Sequence, residues 1–441
     1  MSATQQHDRL LTSLGITALN PMQEAALTAI PGKTDTFLVA PTGSGKTVAF
    51  LLPLLQLLTP DSPTVQCLIL VPSRELAIQI EQVWKKMATG YKVNVCYGGH
   101  PVDTEIRNLS NPPAVLIGTP GRIADHITRR SFALDGIHTL ILDEFDKSLT
   151  LGFQDEMAFI IDGLRNLRRR VLVSATAGIS IPGFVRLQSP TTLTFTADET
   201  ATRALTMEVV YTPDKDKIDA LTSLLCTLDS EPALIFCNHR ETADRTCTLL
   251  GDRGIYARAY HGGMEQDDRE RALILFRNGS VRYLITTDLA ARGLDIPEMK
   301  FVIHYHLPPN EPEFVHRNGR TARMHASGTV YLLLHSDEPY PAYLPDNLPE
   351  FRLSDGKLAL PAPPEFQTLY ISGGRKNKLN KVDIVGFFTQ KGALEKGELG
   401  RIDVQDFMSF AAVKTTKVSA LLTRISQEKM KGKKYKIEVA R

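Results

Sequence analysis

Short apolar runs recur along the first three quarters of the chain, each followed by a stretch whose apolar residues fall at helical spacing. In the first half they read CLILV, VNVCY, AVLIG, HTLILD and RVLVS, and in the second ALIFC, YLITT, FVIHY and TVYLLL. Apolar strands that alternate with amphipathic helices predict an α/β fold, with parallel sheets covered on both faces. The pattern occurs twice, so two similar α/β domains are expected over residues 1–200 and 205–340. Their join falls at the polar ADETATRAL, Ala197 to Leu205. Ligands of such sheets gather beyond the carboxyl ends of the strands.

The pattern then changes. From Ser336 to Phe366 repeated prolines replace any periodicity, which predicts an extended connector, assigned to 341–366. Residues 367–441 resume it: TLYIS, GRIDVQ, FAAVK and KYKIEVA read as strands, KVDIVGFFTQ and KVSALLTRISQEK as helices. The order β-α-β-β-α-β is that of a small α+β domain of the RNA-recognition-motif (RRM) type.

Composition adds limits. The 441 residues exceed one ordinary core. Net charge is +2, but the last 75 or so residues carry more than twice as many basic as acidic groups, so attraction for polyanions is concentrated in the tail. No apolar run is long enough to span a bilayer, and MSATQQHDRLL lacks the features of a secretory signal, so a cytoplasmic protein is expected. The five cysteines are scattered, with no partner at metal-ligand spacing, and read as reduced, mostly buried thiols.

Candidate chemistry begins at APTGSGKT, Ala40 to Thr47, between apolar Phe37-Leu38-Val39 and an apolar helix. Strand, glycine-rich turn and helix in that order make a phosphate-binding loop. Ala40, Thr42, Gly43, Ser44 and Gly45 would wrap backbone N–H groups around phosphates, Lys46 would reach the β and γ phosphates, and the Thr47 hydroxyl would ligate Mg²⁺. About a hundred residues on, Leu140-Ile141-Leu142 runs into Asp143-Glu144. Two carboxylates at a strand end suit a metal ligand, Asp143, and a group that orients or deprotonates an attacking water, Glu144.

The order of these and further motifs resembles the DEAD-box RNA helicases of superfamily 2. GITALNPMQ (Gly15 to Gln23) resembles the Q motif, PSRELA (Pro72 to Ala77) motif Ia and TPGR (Thr119 to Arg122) motif Ib; the tetrad reads DEFD, Asp143 to Asp146, and is followed by SAT, Ser174 to Thr176. LIFCN, HGGMEQDDR, TTDLAARGLD and HRNGRTAR follow in the family's order. The resemblance implies two RecA-like domains, ATP and Mg²⁺ as cofactors, and RNA as partner. It implies that Gln23 reads adenine, that Asp295 holds the ribose, and that Arg320 and Arg323 are arginine fingers. Planar guanidiniums suit the spread charge of a transferring phosphoryl group. It also implies that Arg74, Gly98, Gly99, Thr119, Pro120, Gly121, Arg122, Gln266, Arg269 and Thr286 grip an RNA backbone, and that hydrolysis requires both domains.

Five departures stand out. The position that carries a stacking aromatic ahead of the Q motif is Gln6, Leu19 replaces a proline, and Asn318 and Ala322 replace isoleucine and glycine. Phe145 replaces the alanine of DEAD, adding bulk beside the carboxylates while leaving the acidic residues intact.

The tail, with GGRKNKLNKVDIVG and KGKKYKIEVAR, resembles the C-terminal domain of the DbpA family of bacterial DEAD-box helicases. That resemblance implies anchoring on large-subunit ribosomal RNA within a pre-ribosomal particle. In the RRM reading, Tyr370 and Phe410 face outward to stack on bases, and Arg375, Lys376 and Lys378 meet phosphate. A helicase of this kind, acting as a monomer on short duplexes, is the expected function; an ATP-controlled RNA clamp with little unwinding is the alternative.

Overall fold

The structure is a computed structural model and describes residues 10–440, apart from 100, 177, 196–204, 229, 289–298, 322–327, 354–355 and 357–358. The described chain forms two compact units, one built on the first sheet and the other on the second sheet with the C-terminal domain.

In the first unit the chain runs α1 (Pro21–Ala29), β1 (Thr36–Val39), α2 (Lys46–Leu54), β2 (Cys67–Leu70), α3 (Arg74–Met87), β3 (Val93–Cys96), α4 (Val102–Leu109), β4 (Val115–Gly118), α5 (Pro120–Thr128), β5 (Thr139–Leu142), α6 (Phe145–Thr150), α7 (Gln154–Gly163), β6 (Arg169–Ser174) and β7 (Thr191–Thr194). The strands pair in parallel in the order β3-β4-β2-β5-β6-β1-β7. Side chains alternate between two cores. Leu38, Ile69, Ile117, Ile141 and Val173 pack under Phe50, Leu51 and Trp84, whereas Val39, Leu70, Leu116, Leu142 and Leu172 pack against Ile123, Met157 and Ile160. Helix α3 shows how local signals set the boundaries. The Ser73 hydroxyl accepts from the Leu76 N–H at 3.2 Å, Leu76, Ala77, Ile80, Trp84 and Met87 form the buried stripe, and Ala88 ends the helix at φ +50°.

Phe145 belongs to the second of these cores and is fully buried. Its bulk is taken up by packing with the strands and α7.

The second unit continues with β8 (Leu205–Thr212), α8 (Ile218–Thr227), β9 (Ala233–Phe236), α9 (Arg240–Asp252), β10 (Ala257–Tyr260), α10 (Gln266–Arg277), β11 (Tyr283–Thr286), β12 (Phe301–His304), α11 (Glu311–Asn318) and β13 (Gly328–His335). Its strands pair in parallel in the order β10-β11-β9-β12-β13-β8. Among the described residues between β13 and β14 the proline-rich connector has no helix or strand but is tied down. Phe351 N–H donates to the Val209 carbonyl at 2.8 Å, Val209 N–H to the Pro349 carbonyl at 2.9 Å, and the Phe351 ring meets Tyr331 edge-on.

The C-terminal domain follows the expected order: β14 (Phe366–Ile371), α12 (Lys381–Gly386), β15 (Leu399–Val404), β16 (Ser409–Lys414), α13 (Val418–Ile425) and β17 (Ile437–Val439). Its antiparallel sheet has the order β15-β16-β14-β17. Leu369, Ile371, Ala411 and Val413 line the core with Ile384, Phe388 and Leu421.

The opposite face of this sheet corrects an expectation. Tyr370 and Phe410 sit there side by side, 5.8 Å apart and edge to face, but Phe410 is only 1% exposed. On the same face Thr368 is fully buried, and its hydroxyl bonds Asn278 Nδ2 at 3.1 Å and Ser280 Oγ at 2.6 Å. At Thr368 the face that the RRM reading assigned to base stacking therefore meets the end of α10, and the buried Phe410 ring offers no stacking surface.

Truncating Phe145 leaves a cavity. Phe145→Ala, although it restores a smaller side chain to the tetrad, should cost about 3 kcal/mol or more of stability. Urea unfolding of wild type and variant measures this, and an unchanged midpoint would refute the packing role.

Candidate active site and nucleic-acid interface

The carboxyl edge of the first sheet divides into two neighbouring sectors. Strands β5, β6 and β1 lie side by side, and the DEFD tetrad, the SAT triplet and the glycine-rich loop follow them respectively. Strands β3, β4 and β2 make the other sector; Gly98-Gly99, Thr119 to Arg122 and Arg74 follow them.

In the first sector the loop is held by the Q-motif residues. Asn20 Oδ1 accepts the Gln23 N–H at 2.9 Å while Gln23 Oε1 accepts the Asn20 N–H at 3.1 Å, a reciprocal cap on α1. The free ends of both amides turn to the loop: Asn20 Nδ2 donates to the Ser44 carbonyl at 3.0 Å and Gln23 Nε2 to the Gly45 carbonyl at 3.4 Å. Gly45 is required here. Its φ is +89°, and a Cβ would lie 2.6 Å from Gln23 Nε2. Ala40 is buried at the start of the loop; Thr42, Gly43 and Ser44 form the turn. Lys46 and Thr47 open α2, with the Lys46 ammonium donating to the Ala40 and Pro41 carbonyls at 2.7 and 2.8 Å.

Asp143 and Glu144 occupy the end of β5. Asp143 is 3% exposed, and its Oδ1 accepts the Glu144 N–H at 2.8 Å. Burial, reinforced by the Glu144 charge and opposed by Lys46, pushes its carboxyl up to about 7. Glu144 adopts φ +46°, a left-handed conformation that costs a non-glycine residue energy, and its Oε2 is buried with no hydrogen-bond partner among the described residues. A buried carboxylate next to one with an unsatisfied buried oxygen forms a hard, oxygen-rich donor set, which fits Mg²⁺. Asp146 turns the other way: its Oδ2 accepts from Thr176 Oγ1 at 3.0 Å, joining the tetrad to the SAT loop, where Ser174 Oγ accepts the Thr176 N–H at 3.0 Å.

In the second sector Arg74 opens α3, and Thr119 precedes Pro120 at the start of α5, where Gly121 is exposed. One buried carboxylate organises this surface. Glu105 Oε1 accepts the Tyr97 N–H at 3.1 Å, next to Gly98, and Oε2 accepts from Arg122 at 3.2 Å and pairs with His126 Nε2 at 2.8 Å. The sequence reading missed Glu105. On α4 it looks like one more solvated acid, and only its apolar neighbour Ile106 and the nearby glycine pair hint at a buried role.

The second unit repeats the arrangement. Gln266 and Arg269 lie on the first turn of α10. Arg269 is 6% exposed, and its guanidinium stacks over Tyr260 at 5.2 Å. Thr286 ends β11, fully buried, and its hydroxyl donates to the Thr287 carbonyl at 3.1 Å. Arg320 follows α11 and is 5% exposed. Asp295, Arg323 and Gln6 lie outside the described residues. Arg317, also missed by the sequence reading, is 1% exposed and holds three strand ends together: it donates to Asp288 twice at 2.6 Å, to Asn238 Oδ1 at 2.8 Å and to the His306 carbonyl at 2.6 Å. On the C-terminal domain, Arg375, Lys376 and Lys378 are exposed. Lys431 Nζ donates to the Lys378 carbonyl and to Asp383 Oδ2, both at 2.9 Å, so GGRKNK and KGKKYK form one basic surface.

Comparison with known proteins agrees with this division. Residues 20–181 match the DEAD/DEAH box helicase family, residues 216–325 the helicase conserved C-terminal domain, and residues 368–439 the DbpA RNA binding domain. The chain is 32% identical over 439 residues to the ATP-dependent RNA helicase DbpA of Escherichia coli, covering 97% of this chain and 96% of that protein. It belongs to the DbpA family of DEAD-box RNA helicases. The DbpA of Bacillus subtilis is 30% identical, with 98% of each chain covered. Among solved structures, Saccharomyces cerevisiae Dbp5 bound to RNA and ADP BeF3 aligns with a TM-score of 0.65 at 27% identity, covering 75% of this chain and 88% of that one. Mss116p bound to ssRNA and AMP-PNP gives 0.67 at 25% identity, over 76% and 73% of the chains. The protein is thus an ATP-dependent RNA helicase with a DbpA-type RNA-binding domain. Among the described residues no helix is long and apolar enough to cross a membrane.

The raised Asp143 pKa makes a prediction for nucleotide-free protein in chelator. A carboxyl whose folded pKa lies above its unfolded value favours the fold when protonated, so its contribution is full below the ordinary carboxylate range and is lost as pH rises through about 7. Wild type should therefore lose more thermal stability between pH 5 and 8 than Asp143→Asn does. Parallel melting curves for the two proteins would contradict the shift.

Proposed function

We propose that the protein uses ATP to separate short RNA duplexes locally, on large-subunit ribosomal RNA during ribosome assembly, with the C-terminal domain as its anchor. The observation that carries this reading is the split carboxyl edge of the first sheet, with phosphate and carboxylate motifs on β1, β5 and β6 and backbone-binding motifs on β2, β3 and β4. The basic surface of Arg375, Lys376, Lys378 and the Lys431 loop supports the anchoring role. These residues meet phosphates and fix position; they do not by themselves read sequence.

The roles are assigned as follows. Gln23 binds adenine while bracing Gly45. The loop amides and Lys46 bind the phosphates, and Asp295 binds the ribose. Thr47 and Asp143 would hold Mg²⁺, which when bound neutralises charge on the β and γ phosphates. Glu144 orients the attacking water and accepts its proton, and its buried, unpaired oxygen suits that task. Arg320 and Arg323 stabilise charge on the transferring phosphoryl group. Arg74, Gly98, Gly99, Thr119 to Arg122, Gln266, Arg269 and Thr286 hold the RNA backbone. The site of action is the cytoplasm and the working unit a monomer.

A short tailed duplex, given ATP or a nonhydrolysable analogue, tests the reading. Strand separation that requires nucleotide supports it; retention of RNA without separation would identify a clamp instead. Arg320→Ala should lower RNA-stimulated phosphate release by about three orders of magnitude with little change in RNA binding. A chain ending at Pro364 should lose its concentration on one ribosomal RNA region in crosslinking maps, and identical maps would remove the anchoring role.

A further inference from the structure

Helix α10 carries Gln266 and Arg269, both assigned above to the RNA backbone, and one turn beyond Gln266 it carries Glu270. The Glu270 carboxylate is shared. Its Oε1 accepts from Gln266 Nε2 at 2.8 Å, and its Oε2 accepts from Gln405 Nε2 at 3.1 Å. Gln405 lies between β15 and β16, in the C-terminal domain. Its own carbonyl accepts the Arg375 N–H at 2.8 Å, and the adjacent Asp406 carbonyl accepts the Lys376 N–H at 2.8 Å. The approach is close: a Cβ on Gly374 would lie 2.2 Å from the Gln405 carbonyl oxygen. The exposed basic loop is therefore fastened to the turn whose side chain reaches Glu270.

We propose that Glu270 is a positioning residue through which the C-terminal domain sets the RNA grip of the helicase domain. Three links run between the two RNA-facing elements, from the Arg375 loop to the Gln405 turn, on to the Glu270 carboxylate and from it to the Gln266 amide. A carboxylate fixed by one donor holds the second donor in a defined orientation, whereas a glutamate with only its neighbour four residues back retains its rotamer freedom. A second clasp keeps the relay in register. Thr368 bonds Asn278 and Ser280 beyond the far end of α10, so both ends of the helix are tied to the domain that carries the basic loop. Phosphate bound at Arg375 and Lys376 pulls on the same turn that orients Gln266. Engagement of the tail with structured RNA thus tightens the hold on the strand in the helicase domain.

This inference rests on the assignment of Gln266 to RNA, and the test separates the two. Full-length wild type, Gln266→Ala, Gln405→Ala and the double variant are assayed for ATP hydrolysis against increasing oligo(U). Gln405→Ala should raise the KM for RNA roughly three- to tenfold while leaving kcat and the KM for ATP unchanged. The double variant should be no worse than Gln266→Ala alone, because both break one chain. Glu270→Ala should match Gln405→Ala, with matched melting temperatures confirming intact folding. If Gln266→Ala raises the KM but Gln405→Ala does not, or if their effects multiply, the relay is overturned. If Gln266→Ala leaves the KM unchanged, the RNA assignment itself fails, and the inference fails with it.

Discussion

A parallel strand delivers its carboxyl end, and the loop after it, to one edge of the sheet. Everything functional in the first unit follows from that constraint. β1, β5 and β6 are neighbours although widely separated in sequence, so the phosphate loop, the acidic pair and the SAT loop meet at one place. β2, β3 and β4 bring the backbone-binding segments to the adjoining place. The central strands β1, β2, β4, β5 and β6 bury their apolar side chains in two cores, which leaves their polar ends for ligands.

Charge is organised by the same geometry. Burial strips water from Asp143, and the neighbouring Glu144 charge adds to the cost, lifting its carboxyl to about 7. The Lys46 charge offsets part of that cost, and a divalent cation with phosphate would offset more. Carboxylates elsewhere are engaged in another way: buried Glu105 holds a backbone N–H, an arginine and a histidine, and half-buried Asp288 holds Arg317. Such pairs cost stability when broken and fix the loops they join.

Much of this was legible in the sequence. The runs CLILV, VNVCY, AVLIG, HTLILD and RVLVS are β2 to β6, and ALIFC, YLITT, FVIHY and TVYLLL are β9, β11, β12 and β13, because strands buried on both faces are uninterrupted apolar runs. β7, β8 and β10 escaped notice. TTLT is an edge strand exposed along most of its length, and LTMEVVYT and ARAY mix polar and apolar positions. The C-terminal element order was legible for the same reason as the sheets. What covers a face was not: Tyr370 and Phe410 point where an RRM would place them, but nothing in their own segment encodes the burial of Phe410 or the contact of Thr368 with the end of α10. Glu105 and Glu270 were equally silent, since an acid on an amphipathic helix looks solvated until its tertiary partners are known.

The central claim is that the two sectors of one sheet edge act as a single coupled device, and thermodynamic linkage tests it directly. RNA affinity should be measured with and without a nonhydrolysable ATP analogue, and analogue affinity with and without RNA, at one salt concentration. Each ligand should strengthen the other by the same factor, of order ten or more. Affinities that do not respond to the second ligand would contradict the account.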